Sequence, residues 1–129
     1  MINTMFNQQQ GKRGEEMACV FLRHEGWQIV DRNFRIRGGE IDIIAIETDK
    51  QTQEKTLVFV EVKTRVSDEF GSPLEAIGYY KMRALIKATQ FYKMKHPQLP
   101  DLLRIDAVSV MIDENGQLMD IELVRNISG

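Results

Sequence analysis

The chain has 129 residues, 43% of them hydrophobic and 28% charged. That is the length and mixture of one globular domain, and it excludes disordered, collagen-like and low-complexity classes. The 17 basic and 19 acidic residues leave a net charge of −2, which taken alone argues mildly against a nucleic-acid partner.

Residues 1–10 lack the basic-then-apolar order of a signal peptide and read as a flexible N-terminal segment. Residues 11–129 read as a single domain. No apolar run is longer than six residues (Met17–Leu22), far short of a membrane span, so no membrane association is expected. Cys19 is the only cysteine. It allows neither an internal disulfide nor a cysteine-built zinc site, and a cytoplasmic location follows as the expectation.

In chain order, Met17, Ala18, Phe21 and Leu22 recur at helical spacing and predict a helix over residues 12–25, stopped by Gly26. Residues 27–35 alternate loosely as a strand. Residues 40–46 and 57–63 are rich in Ile, Val and Phe and read as buried strands, with the polar stretch 47–55 as their turn. Ser72-Pro73-Leu74-Glu75 has the cap, first-turn proline and capping-box acid of a helix start. The helical pattern then runs to about Lys95, with a candidate break at Gly78. Residues 104–112 form a strand, Asn115-Gly116 has the form of a two-residue hairpin turn, and residues 117–124 pair back. The order α-β-β-β-α-β-β predicts an α/β domain, a central mixed sheet of about five strands flanked by helices, with at least one parallel pair.

Charge is unevenly placed. Residues 81–95 carry five basic and no acidic side chains, whereas residues 101–129 carry two basic and six acidic. A basic middle and an acidic tail lie behind the near-neutral total.

Four charges stand where the pattern calls for apolar residues. Asp42 shares a strand face with Ile44 and Ile46, and Glu61 and Lys63 share one with Leu57 and Phe59. A hairpin centred between Gln51 and Thr52 sets Ile46 against Leu57, Ile44 against Phe59 and Asp42 against Glu61. Directly opposed carboxylates about 5 Å apart repel by about 3 kcal/mol at an effective dielectric of about 20. A divalent cation between them removes that cost, and Lys63 lies close by. Glu15 falls on the Ala18, Cys19 and Leu22 stripe of the first helix, a buried side where a carboxylate needs a partner. The plainer reading of Glu15 is an acid in a helix's first turn. For Glu61-Val62-Lys63 alone it is an exposed strand with alternating charge.

Taken together, the helix acid, the strand Asp and the Glu-x-Lys at the end of the next strand resemble the PD-(D/E)xK nuclease pattern. Its logic is oxygen ligation of Mg²⁺, with Mn²⁺ as substitute, an activated water, and a Lys that orients water or phosphate. Gly11-x-x-Gly14-Glu15-x-x-Ala18, Arg32-Asn33-Phe34, Gly39-Glu40-Ile41-Asp42-Ile43-Ile44, Phe59-Val60-Glu61-Val62-Lys63-Thr64-Arg65, Phe70-Gly71 and Arg104-Ile105-Asp106 occur in that order. This series resembles the YraN-like family of uncharacterised bacterial proteins from about Gly11 onward. The resemblance implies a restriction-endonuclease-like fold similar to archaeal Holliday-junction resolvases, with Glu15, Asp42, Glu61 and Lys63 as the active-site set. It implies DNA, including branched or structured DNA, as partner, and a homodimer, since resolvases of this fold act as dimers.

Arg35, Arg37, Arg65, Lys81, Arg83 and Lys87 are the expected phosphate contacts. Tyr79, Tyr80, Phe91 and Tyr92 could stack on bases, but at helical spacing they read first as core or interface. His24 and His96 read as surface or helix-end residues, and Gly38-Gly39 as a tight turn. The expected function is a Mg²⁺-dependent endonuclease on DNA. The alternative is a non-catalytic nucleic-acid-binding or protein-interaction module on the same fold.

Overall fold

The computed structural model describes residues 4–66 and 77–129, with the backbone alone for residues 4–8. Helix α1 (Thr4–His24) leads into β1 (Gln28–Ile36), β2 (Gly39–Thr48) and β3 (Lys55–Val66). Helix α2 (Tyr79–Lys95) then leads into β4 (Leu102–Ile112) and β5 (Leu118–Val124). The five strands lie side by side in chain order. β3 and β4 are parallel and the other pairs antiparallel. The predicted α/β order and mixed sheet are therefore present. The Ser72–Glu75 helix start and Phe70-Gly71 lie outside the described residues.

Each helix covers one face. Ala18, Cys19 and Leu22 of α1 pack with Ile43, Ala45, Val58, Val60, Val108 and Val110. Leu85, Ala88 and Tyr92 of α2 pack with Ile41, Ile44, Leu57, Phe59 and Ile105 on the other face. Burying a side chain of this kind contributes roughly 1.5–3 kcal/mol, so these two apolar layers hold the sheet and fix where its charged residues stand.

Two boundaries differ from the sequence expectation. α1 begins at Thr4, not Lys12. The polar glutamines before Gly11 carry no hydrophobic period, yet they are good helix formers, and propensity extends the helix where periodicity is silent. Asn115-Gly116 does not form a two-residue turn. Asp113 and Gln117 close a longer loop through the Asp113 N–H and the Gln117 carbonyl (2.9 Å), and Asp113 Oδ1 accepts the N–H groups of Asn115 and Gln117. Gly116, with φ 79°, supplies the left-handed residue of that three-residue connection. The stop at Gly26 is as expected. Gly26 donates to the Arg23 carbonyl and Trp27 to the Leu22 carbonyl, at 2.9 and 3.0 Å, with Gly26 at φ 90°, a Schellman ending.

Two glycines set helix positions. A Cβ on Gly14 would overlap the Thr64 side chain, so the α1 backbone lies directly against that side chain of β3. A Cβ on Gly39 would stand 2.9 Å from the Ala84 carbonyl oxygen, so α2 lies directly on the start of β2. Glu15 and Lys81 sit next to these crossings.

Candidate functional site

The β2–β3 register is the one that the hairpin arithmetic gives, with Ile44 opposite Phe59 and Ile46 opposite Leu57. Its ladder ends at Ile43 and Val60. The following rung, Asp42 and Glu61, falls where the strands turn over. Ile41 and Ile43 would share a face of a regular strand, yet Ile41 packs in the α2 layer and Ile43 in the α1 layer. β1 does the same across from them. Arg32 reaches Glu16 of α1 at 2.9 Å, Phe34 stacks edge-on to Tyr92 of α2, and Asn33 between them has φ 54°.

That turnover sets the aim of Asp42. Strict alternation puts it on the α2 face with Ile44. Instead its Oδ2 lies in the gap between the strands and accepts the Val62 N–H at 2.7 Å. Burial, and then the charge of Glu61, pushes the Asp42 carboxyl up to about 7, against the pull of the Val62 hydrogen bond. Glu15 and Glu40 add smaller contributions in the same direction. The repulsion expected from sequence is thus present.

Glu61 is buried on the α2 face. Lys63 Nζ stands 3.8 Å from its Oε1 and Lys81 Nζ, from α2, stands 2.8 Å from the same atom. Burial opposes the Lys81 charge, but the Glu61 hydrogen bond and the charges of Glu61, Asp42 and Glu40 outweigh it, raising the lysine pKa. Sequence reasoning placed Lys81 among phosphate contacts and missed this pairing. The ion pair joins a strand and a helix, and no spacing along one element encodes it.

Glu15 approaches from the α1 side and is half-buried. Burial raises its pKa, Arg32 and an Asn33 hydrogen bond oppose the rise, and Glu40 adds to it. Glu40 therefore bears on Glu15, Asp42 and Lys81 while pairing with Arg35 at 3.1 Å. Its place two residues before Asp42 was the available signal for that role.

Among the described residues, no three His, Cys, Asp or Glu side chains are gathered to enclose a metal. Asp42 and Glu61 supply two carboxylates, all oxygen donors. That set fits a Mg²⁺ or Mn²⁺ site whose shell is completed from outside the protein, and it does not fit a closed structural site.

The expected phosphate contacts fall into groups. Arg35 and Lys81 line a cleft of about 460 Å³ between the β1–β2 turn and α2. Arg37, Arg83 and Lys87 line an adjoining one of about 470 Å³, and the two share Gly38 and Ala84. Gly38, at φ 85°, makes the turn that forms their common wall. Arg65 is the penultimate residue of β3 and is not among the residues that line these two clefts. Of the four aromatics read as core or interface, Tyr92 is buried and Phe91 half-buried. Tyr79 and Tyr80, in the first turn of α2, are 66% and 85% exposed, which leaves them as interface and not core.

Arg104-Ile105-Asp106 serves the fold. Buried Asp106 accepts Arg104 Nε at 2.8 Å and the Asn126 N–H at 2.8 Å, and Glu47 bridges Arg104 and Arg125. Both arginines lie over Trp27. Glu47 is at the opposite end of β2 from Asp42. No helix of the described residues is long and apolar enough to cross a membrane.

Residues 14–110 match the model of the uncharacterised protein family UPF0102. A UPF0102 protein of Geobacter metallireducens is 39% identical over 123 residues, covering 95% of this chain and 94% of that relative. One of Caldicellulosiruptor saccharolyticus is 40% identical over 116 residues, 90% of this chain and 93% of its own. One of Persephonella marina is 41% identical over 107 residues, 83% and 87% respectively. The family match spans the strands that carry Asp42, Glu61 and Lys63 and the helix segment with Glu15, and the chain belongs to the UPF0102, YraN-like family.

Proposed function

We propose that this chain is a metal-dependent endonuclease that hydrolyses phosphodiester bonds in DNA. One observation carries the reading: Asp42 is pushed up to about 7 by burial and by Glu61, at the end of a sheet where the two lysines Lys63 and Lys81 also converge. Perturbed acids beside fixed cations, next to a basic cleft, are the conditions under which phosphoryl chemistry is arranged. A Mg²⁺ ion, or Mn²⁺ in its place, would supply Lewis acidity and a more acidic bound water.

Asp42 and Glu61 would hold that ion. Lys63 orients the attacking water or the scissile phosphate from its place 3.8 Å from Glu61. Glu15 completes the outer shell on the α1 side, where burial raises its pKa against the pull of Arg32. Lys81 neutralises Glu61 in the metal-free protein. Arg35, Arg37, Arg83 and Lys87 bind backbone phosphates along the two clefts. A homodimer belongs to the same reading through the likeness to resolvases.

The Lys81–Glu61 pair also supports a second reading, because an ammonium already compensates Glu61 with no metal required. On that reading the domain binds nucleic acid or protein without turnover. Incubation with duplex, single-stranded and four-way DNA in Mg²⁺ or Mn²⁺ tests the two. Cleavage that EDTA and Asp42→Asn both abolish is the expected result, and retention of DNA without cleavage under any metal selects the second. Mn²⁺-soaked crystals should carry anomalous density between Asp42 and Glu61.

A further inference from the structure

The first turn of α2 presents two aromatic rings to solvent. Tyr79 and Tyr80 are 66% and 85% exposed, with ring centroids 5.3 Å apart and planes at 79°. Tyr79 is held in place, for its hydroxyl accepts Arg83 Nη1 at 2.9 Å and the guanidinium lies 5.6 Å from its ring centroid. Tyr80 is not held in this way by the core. It precedes Ala84 by one helical turn, about 5.4 Å of axis, and Ala84 forms part of both basic clefts. The next residue, Lys81, is the one that reaches Glu61.

Neither ring belongs to the core clusters, and two adjacent exposed rings present a surface on which a flat partner can stack. Their setting argues for one occupant. Arg37 and Lys87 have no ion-pair partner among the described residues and line the cleft beside Ala84, and Arg83 joins them. Fixed positive charge next to aromatic faces matches a polyanion that also carries flat rings. A fully paired duplex presents phosphates but keeps its base faces stacked on one another. Unpaired bases present both.

We infer that Tyr79 and Tyr80 form a stacking site for unpaired bases at the head of the basic clefts, so that the substrate class is DNA with a single-stranded segment beside the scissile phosphate. This rests on the reading of the domain as a DNA-acting protein, and it adds which DNA is chosen. The site does not depend on hydrolysis.

The test is a binding measurement with the intact chain in Ca²⁺, which satisfies the carboxylates with looser geometry than Mg²⁺. Two probes of the same sequence are compared, a fully paired duplex and a duplex with a short gap carrying 2-aminopurine. The gapped probe should bind roughly tenfold or more tightly, in keeping with the worth of one stacked base, and its 2-aminopurine emission should be quenched. Tyr79→Ala/Tyr80→Ala, which also frees Arg83 from Tyr79, should lose the preference and the quenching while still binding the paired duplex through Arg35, Arg37 and Lys87. Tyr80→Phe, which keeps the ring, should retain both. Melting curves of each variant confirm the fold, since these exposed side chains carry little of it. Equal affinity for the two probes, or a preference that survives the double alanine variant, overturns the inference. Loss of the preference in that variant with no cleavage in Mg²⁺ or Mn²⁺ leaves the stacking site standing and removes the hydrolytic reading. Cleavage of paired and gapped DNA alike, unaffected by the tyrosines, does the reverse.

Discussion

Lys81 Nζ, on the first turn of α2, lies 2.8 Å from Glu61 Oε1 on β3, so a helix cation already compensates the carboxylate that the proposed metal would bind. Lys63, on the same strand as Glu61, stands farther off at 3.8 Å. The buried carboxylate is thus served by two cations of unequal reach, beside an Asp42 that repels it.

Competition between Lys81 and a metal gives the first prediction. Lys81→Met leaves Glu61 buried with only the longer Lys63 contact, and the metal-free protein should lose about 1–2 kcal/mol, a modest figure because the lysine head is partly solvated. Mn²⁺ should then restore stability, and the Mn²⁺-induced rise in melting temperature should be larger in Lys81→Met than in wild type. Thermal melts in EDTA and in Mn²⁺ measure both quantities. An equal or smaller rise in the variant would mean that Lys81 and the metal do not share Glu61.

The second prediction uses the Asp42 carboxyl, whose folded pKa is raised from 3.8 to about 7. A raised acid favours the protonated form in the folded state. Its contribution to stability is therefore present below the unfolded value and lost as pH rises through the folded one. Asp42→Asn keeps an oxygen that can accept the Val62 N–H and removes the charge. In EDTA the variant should match wild type near pH 4 and exceed it above pH 7, by an amount of the order of a few kcal/mol. It should also abolish any metal-dependent cleavage and spare most DNA binding. A variant less stable than wild type at pH 8 would identify Asp42 as a structural ion-pair partner.

Much of this arrangement is legible in the sequence, and the exceptions have physical reasons. Ile46, Ile44, Phe59 and Leu57 exclude a one-residue slip, which would carry every apolar side chain to the wrong face, and centring the polar stretch between Gln51 and Thr52 picks the register that forms. Glu61 is legible for the same reason, as a charge on a buried stripe. The turnover at Asn33 and Asp42 is not, since strict alternation is what makes a strand readable and the backbone departs from it there. Lys81 is missed because its partner lies on another element. Tyr79 and Tyr80, read as core or interface, are exposed, because helical spacing identifies a shared face but not whether anything covers it. Gly14 and Gly39 read as turn or pattern glycines, and only the packed helices reveal them as points of close approach.

The third prediction concerns the basic clefts. Binding through Arg37, Arg83 and Lys87 releases counterions from DNA, so affinity should fall steeply with salt. Replacing Arg37 or Lys87 by Ala should reduce the salt slope by about one unit each while leaving the ratio of affinities for different sequences unchanged. Fluorescence anisotropy across a salt series reads the slope. A slope near zero in wild type would move the clefts from a nucleic-acid interface to a protein one.

The last prediction ties the fold to the site through Gly14. Because its missing Cβ is what lets α1 meet β3, Gly14→Ala forces the added methyl into the Thr64 side chain. Overpacking of this kind costs typically about 1–3 kcal/mol, and part of it should appear as a shift of α1 away from the sheet. Glu15, the next residue on that helix, would move with it. Gly14→Ala should therefore lower both the melting temperature and any metal-dependent cleavage. Thr64→Ala removes the two outer atoms of the obstructing side chain, and the double variant should recover stability beyond what the single effects add to, as expected for residues in contact. If cleavage recovers along with stability, the placement of Glu15 by this crossing is what the site requires. Recovery of stability without cleavage would assign the loss to Thr64 itself, and additive destabilisation in the double variant would mean that Gly14 is needed for something other than its closeness to Thr64.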